Sequence, residues 1–169
     1  MADKHTKLTH LDKTGAARMV DVGDKPITSR GAIAEGRVRI SEELAAAIAE
    51  NNIAKGNLLE VARLAGIQAA KKTGDLIPLC HPLPLDCADV QCELDGTTIN
   101  IRATCKVAAR TGIEMEALTA VVVCALTVID MGKAIDKGIT IEHIRLVEKW
   151  GGRSGRYIAP DSQAPDSPA

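Results

Sequence analysis

The chain has 169 residues, 46 % hydrophobic and 25 % charged, with a formal net charge of -1, so it suits one globular domain and offers no whole-protein electrostatic basis for binding nucleic acid. Aromatic residues are nearly absent, with no Phe, one Trp and one Tyr, which leaves an aliphatic core and removes the stacking platforms that single-stranded nucleic acids use. No apolar run of about 18 residues lacks a charge and the polar N-terminus carries no apolar signal segment, so the expected location is the cytoplasm, without membrane contact.

Residues 1–15 read as a mobile arm, 16–157 as one domain, and 158–169, rich in Pro, Ser and Asp, as a disordered tail that cannot bury enough apolar surface to order itself. "ARMVDV" (17–22) and "ITSRGAIAEGRVRI" (27–40) form short alternating segments. Ser41 followed by Glu42 and Glu43 predicts a capped helix to about Glu50, which "NNIAKGN" (51–57) breaks. Asn57 opens a longer helix in which Leu58, Val61, Ala62 and Ala65 recur at helical spacing, with a stop at Gly74. Ala88, Val90, Cys92 and Leu94 alternate with polar residues, as do Ile99, Ile101, Ala103, Cys105 and Val107, and Asp95-Gly96 between them predicts a β-hairpin with one buried face. Thr111-x-x-Glu114 reads as a capping box for an apolar helix to about Ile135, buried on most sides, and "ITIEHIRLVEKW" (139–150) as a last strand. The order strand, helix, hairpin, helix, strand predicts an α+β fold: a ferredoxin-like βαββαβ sandwich, an antiparallel sheet with helices packed on one face.

Several residues could carry chemistry. Asp130 and Lys133 lie three apart on one helix face, a carboxylate beside an ammonium, though such pairs are commonly surface ion pairs of little energetic weight. Lys149 precedes "WGGRSG", whose glycines 151, 152 and 155 let backbone N–H groups approach an anion while Arg153 adds charge. The loop lacks the Walker spacing, so alone it is a weak signal that a flexible exit to the tail accounts for better. Glu114, Met115 and Glu116 occupy the first turn of the apolar helix, where acidic residues favourably meet the helix dipole. His81, in "DLIPLCHPLPL" (75–85), is held between prolines in a stiff, non-helical position. Cys80, His81 and Cys87 have no standard zinc-ligand spacing. The five cysteines, odd in number and without a C-x-x-C pair, point to reduced thiols. No metal and no cofactor are expected.

Five strings together, "LTHLDKTGAARMVDV" (8–22), "KGNLLEVARLAGIQAAKKTGDLIPLCHPLPL" (55–85), "TGIEMEALTA" (111–120), "VIDMGKA" (128–134) and "LVEKWGGRSG" (146–155), closely resemble the molybdenum-cofactor biosynthesis protein C family of cyclic pyranopterin monophosphate synthases. The resemblance implies a lyase that converts (8S)-3',8-cyclo-7,8-dihydroguanosine 5'-triphosphate to cyclic pyranopterin monophosphate with release of pyrophosphate, acting after a radical iron–sulfur cyclase. It also implies a ferredoxin-like fold and a homohexamer, a trimer of dimers, with sites between subunits. By the same resemblance Asp130, Lys133, Lys149 and Lys55 are catalytic, while Leu79, Cys80, His81, Glu114, Met115, Glu116, Arg30 and Lys71 bind substrate. Pro84, Trp150 and Arg153 are mild departures within these strings.

One expectation needs no family. Glu114 and Asp130 are 16 residues apart on one predicted helix, roughly 24 Å at 1.5 Å per residue, so a site using both must draw them from different subunits. A ferredoxin-like module that senses a nucleotide or pterin without transforming it is the alternative, and a purely structural subunit a third reading. Turnover of the cyclised nucleotide, binding without turnover, and neither outcome separate the three.

Overall fold

The computed structural model describes residues 14–160, so most of the expected N-terminal arm and C-terminal tail lies outside the described residues. The described elements run β1 (Thr28–Arg39), α1 (Glu42–Ala49), α2 (Leu58–Ala70), α3 (Thr73–Leu76), β2 (Cys87–Asp95), β3 (Thr98–Ala109), α4 (Glu114–Gly132), β4 (Thr140–Trp150) and β5 (Tyr157–Ile158). The strands form one antiparallel sheet in the order β2-β3-β1-β4-β5. With β5 set aside, this is the βαββαβ arrangement expected, and α2 and α4 cover one face. Beyond β4, β5 pairs with it and the Ala159 N–H donates to the Val147 carbonyl at 2.8 Å, with Ala159 itself buried.

Alternation decides which residues enter the core. Ala32, Ala34 and Val38 of β1 and Ile99, Ile101, Ala103, Cys105 and Val107 of β3 point to the helix layer and are buried. On edge strand β2 the same alternation holds, but only Val90 is fully covered. Ala117, Ala120, Val121, Cys124, Ala125 and Val128 of α4 complete this aliphatic core.

Helix α1 begins where Ser41 accepts the Leu44 N–H, and it ends in a Schellman motif: the Asn51 N–H donates to Ile48 and the Asn52 N–H to Ala47, with Asn51 at φ 52. Asn57 caps α2 by accepting the Glu60 N–H. The buried stripe of α2 is Leu58, Ala62, Gly66, Ala69 and Ala70, so Val61, expected inside, is exposed. Gly66 explains the choice, because a Cβ there would lie 2.9 Å from the Ala120 carbonyl oxygen and 3.3 Å from Cys124. The helices cross where one of them has no side chain.

Five further expectations are corrected. Gly74 does not end α2; the chain caps at Lys71 and turns again through α3, where the buried Thr73 hydroxyl donates to the Ala70 carbonyl. No capping box forms at α4, whose N-cap is Ile113 without a side-chain bond: Glu114 is already the first helical residue and cannot reach back from the third. The helix stops at Gly132, packed against Leu44, rather than at Ile135. It is also not buried on most sides, since Met115, Val122 and Leu126 are exposed. By length and mean hydropathy, 1.8, α4 is apolar enough to cross a membrane, yet its other face is the centre of this core. Finally, 17–22 forms no strand beyond a single bridge residue, and its backbone serves the site instead.

Substituting Gly66→Val should lower unfolding free energy by about 1–3 kcal/mol, because the new side chain meets the fixed backbone of α4. Urea unfolding followed by circular dichroism measures it; a midpoint equal to that of the parent would mean that α2 and α4 can separate at no cost.

Candidate active site

The expected residues fall into two groups at opposite ends of α4. At the C-terminal end, the Lys133 ammonium donates to Asp130 Oδ1 at 2.7 Å. Lys55 donates to Asp130 Oδ2 at 3.0 Å and to the Asp130 carbonyl at 2.8 Å. Lys55 reaches there because the loop after α1 is pinned by buried Ile53 and by the Gly56 N–H, which donates to the Ile53 carbonyl. The two ammonium groups, Lys133 foremost, hold the Asp130 carboxyl below the usual carboxylate range. All three side chains are open to water, so these ion pairs add little to stability and their cations remain accessible.

At the N-terminal end three cavities adjoin. The first, of about 300 Å³, is lined by Val20, Val22, Lys25, Leu79, Cys80, His81, Leu83, Thr111, Gly112, Glu114, Met115 and Glu116. Glu114 is shared with a second cavity of about 210 Å³ bounded by Arg30, Lys149, Trp150 and Gly151. Glu116 is shared with a third of about 310 Å³ bounded by Lys71, Lys72 and Asp75. Asp130, Lys55 and Lys133 line none of the three. Lys149 therefore stands apart from Asp130, donating instead to Glu114 at 2.6 Å.

The wall around His81 is set by the prolines. Pro78 occupies the second position of a turn closed by the Cys80 N–H donating to the Ile77 carbonyl at 3.0 Å. Along this stretch Leu79, His81, Leu83 and Leu85 are half-buried and Pro82 and Pro84 exposed. His81 Nε2 lies 2.9 Å from the Val20 carbonyl, which can only accept, so Nε2 carries the proton and donates. In the neutral ring Nδ1 is then the acceptor nitrogen. Burial, with Glu116 adding to it, pushes the neighbouring Cys80 thiol upward, which suits a shape-forming side chain better than a nucleophile.

Glu114 and Glu116 sit two residues apart and differ sharply. Burial pulls the Glu114 carboxyl upward, but Lys149 and local backbone N–H groups outweigh it and hold it below its ordinary value. Glu116, 3 % exposed and without an ion-pair partner among the described residues, is pushed up to about 7 by burial and by the charge of Glu114. A carboxyl poised there can give or take a proton near neutrality.

Lys149 and the loop after it depend on close backbone approach. The Trp150 indole lies on Gly31 where β1 pairs with β4, leaving no room for a Cβ. Gly151 and Gly152, at φ 89 and 75, then fold against Ser29 and the Arg30 guanidinium. Arg30 is fixed in turn by donating from Nε to the Ala109 carbonyl at 3.0 Å and from Nη2 to the Arg110 carbonyl at 3.3 Å. Gly151, Arg30 and Lys149 thus line a concave cavity in which two cations face one carboxylate, Glu114, a glycine cradle that an anion could enter.

Sequence reasoning missed the backbone of residues 20–25, which closes the His81 cavity. Its alternation suggested a strand, and no side-chain pattern reports that a carbonyl at Val20 meets an imidazole 61 positions away.

A profile of the MoaC family matches residues 19–152, a span containing every candidate catalytic and binding residue named from the sequence. The chain is 59 % identical over 155 residues to the cyclic pyranopterin monophosphate synthase of Parvibaculum lavamentivorans, covering 90 % of this chain and 97 % of that protein. It is 54 % identical over 160 residues to the protein of the same name from Thermomicrobium roseum, covering 94 % and 96 %.

Glu116 makes stability depend on pH. Between about 4.5 and about 7 the folded chain keeps its proton while the unfolded chain has released it, so the unfolded state binds fewer protons and stability falls as pH rises. The 2.5-unit gap corresponds to roughly 3 kcal/mol at most. Glu116→Gln should therefore be increasingly stabilised relative to the parent from pH 5 to pH 7.5 in paired urea titrations. A pH-independent difference would mean that Glu116 is ionised in the fold.

Proposed function

The chain belongs to the MoaC family, and we propose that it is a cyclic pyranopterin monophosphate synthase of molybdenum-cofactor biosynthesis. On this reading it is a cytoplasmic lyase that takes the cyclised guanosine triphosphate released by a radical iron–sulfur enzyme and forms cyclic pyranopterin monophosphate and pyrophosphate. The observation that carries the proposal is 59 % identity across 97 % of a relative bearing that name. The geometry supports it: an apolar-walled cavity with titratable edges adjoins a cationic glycine cradle, as a ring system with a polyphosphate requires.

The ring lies in the His81 cavity, where Glu116 can exchange a proton with a ring nitrogen or oxygen, and the phosphates lie toward Arg30 and Lys149. To close the cyclic phosphate, a sugar-derived hydroxyl oxygen attacks the α-phosphorus as the bond to the β-phosphate breaks. The hydroxyl proton passes to a base, and the charge developing on pyrophosphate is met by lysine and arginine. Asp130, Lys133 and Lys55 are the acid–base set. Because Asp130 stands on α4 16 residues from Glu114, roughly 24 Å away, and holds Lys133 and Lys55 beside it, the three complete the site of a neighbouring protomer within a hexamer.

Incubation of the purified chain with the cyclised nucleotide should yield pyrophosphate and the pterin product; binding without turnover would favour a sensor. Lys55→Ala and Asp130→Asn should each lower kcat by about 10² or more. Mixed oligomers of inactive Asp130→Asn and inactive Glu114→Gln chains should regain activity, because some interfaces then hold two intact halves. No recovery in verified mixed oligomers would reject the shared site.

A further inference from the structure

We propose that Lys25 is a further substrate-binding residue, whose ammonium donates to the carbonyl oxygen of the nucleotide's ring system in the His81 cavity. The inference rests on the nucleotide reading above.

Lys25 lines the same cavity as His81, Glu114 and Glu116. It is half-buried, although Asp24 and Pro26 on either side are exposed. Among the described residues no hydrogen bond or ion pair engages its ammonium, whereas the two cations of the second cavity and the His81 ring N–H are committed. Lys149 is held by Glu114, Arg30 by two backbone carbonyls, and His81 Nε2 by Val20. An ammonium at the cavity wall with no partner among the described residues has its donors free for an acceptor that enters the cavity.

The support beneath Lys25 is firm. Its N–H donates to the Val22 carbonyl at 3.1 Å, its carbonyl accepts from Arg110 Nε at 2.9 Å, and Asp21 turns the preceding chain by accepting the Gly23 N–H at 2.9 Å. The turn is thus braced against the end of β3 and, through Val20, against His81. A fixed backbone reduces the ordering that binding would otherwise require.

Ring rather than phosphate is the favoured contact because the cavity is two-sided. A guanine-derived ring offers a carbonyl acceptor, which lysine reads well, and N–H donors on another edge, which a carboxyl accepts. Lys25 and Glu116 supply these complementary functions in one cavity, while the glycine cradle with Arg30 and Lys149 already answers the phosphates.

The test uses the full chain as Lys25→Met, Lys25→Arg and, should the first not melt cooperatively, Lys25→Gln. Calorimetric binding of the cyclised nucleotide and of inorganic pyrophosphate is measured alongside steady-state kinetics. The Met variant should bind nucleotide about tenfold more weakly, with KM rising in parallel. Its pyrophosphate affinity should stay within about twofold of the parent, and Arg should restore most of the loss. Unchanged nucleotide affinity in the Met or Gln variant overturns the contact, and an equal loss of pyrophosphate affinity moves the ammonium to the phosphates. Binding decides the role of Lys25 even if the parent chain does not turn over, a result that would count against the proposed activity alone.

Discussion

The rigid rise of α4 governs where chemistry can be assembled. A helix from Glu114 to Gly132 holds its ends apart by backbone hydrogen bonds. Residues at its first turn and its last therefore cannot share a ligand within one chain. The sheet and α2 are arranged around this fixed rod. Small residues along it, Ala117, Ala120, Cys124 and Ala125, admit close neighbours, and Gly66 lets α2 approach to backbone distance. The aliphatic composition and the geometry of the site are thus connected: a core without large aromatic rings can pack a helix close to a sheet, and that closeness fixes the direction of both helix ends.

The first turn of α4 also shows how two identical side chains acquire different chemistry. Glu114 faces β4 and receives Lys149, so its charge is compensated. Glu116 turns into the core between two cavities and has no such partner among the described residues, so burial favours its neutral form. The uncompensated carboxyl costs stability at neutral pH and leaves a proton available where a ligand would sit. A buried, uncompensated carboxyl of this kind is what a site built from core positions would show.

Much of the fold could be read in advance because its signals are local. The hairpin followed from strict alternation around Asp95-Gly96, and the starts of α1 and α2 followed from Ser41 and Asn57, whose side chains do accept the expected N–H groups. Misreadings arose where a local signal competed with packing. Thr111 and Glu114 have capping-box spacing, but Lys149 and the helix start at Glu114 claim the carboxylate. Val61 fits a helical stripe, but the close crossing at Gly66 rotates α2 so that Val61 faces out. The Val20 carbonyl at His81 had no sequence signal, since every residue carries the same carbonyl.

Residue types and short spacings alone determined the element order, the aliphatic core and the impossibility of joining Glu114 to Asp130 in one chain, because each depends only on local backbone geometry. Tertiary structure alone decided that Lys149 pairs with Glu114 rather than standing near Asp130, that Glu116 is buried with no ion-pair partner among the described residues, and that the turn at Lys25 closes the His81 cavity. Those outcomes depend on which distant strands become neighbours, and on how much water is left around each charge once they do.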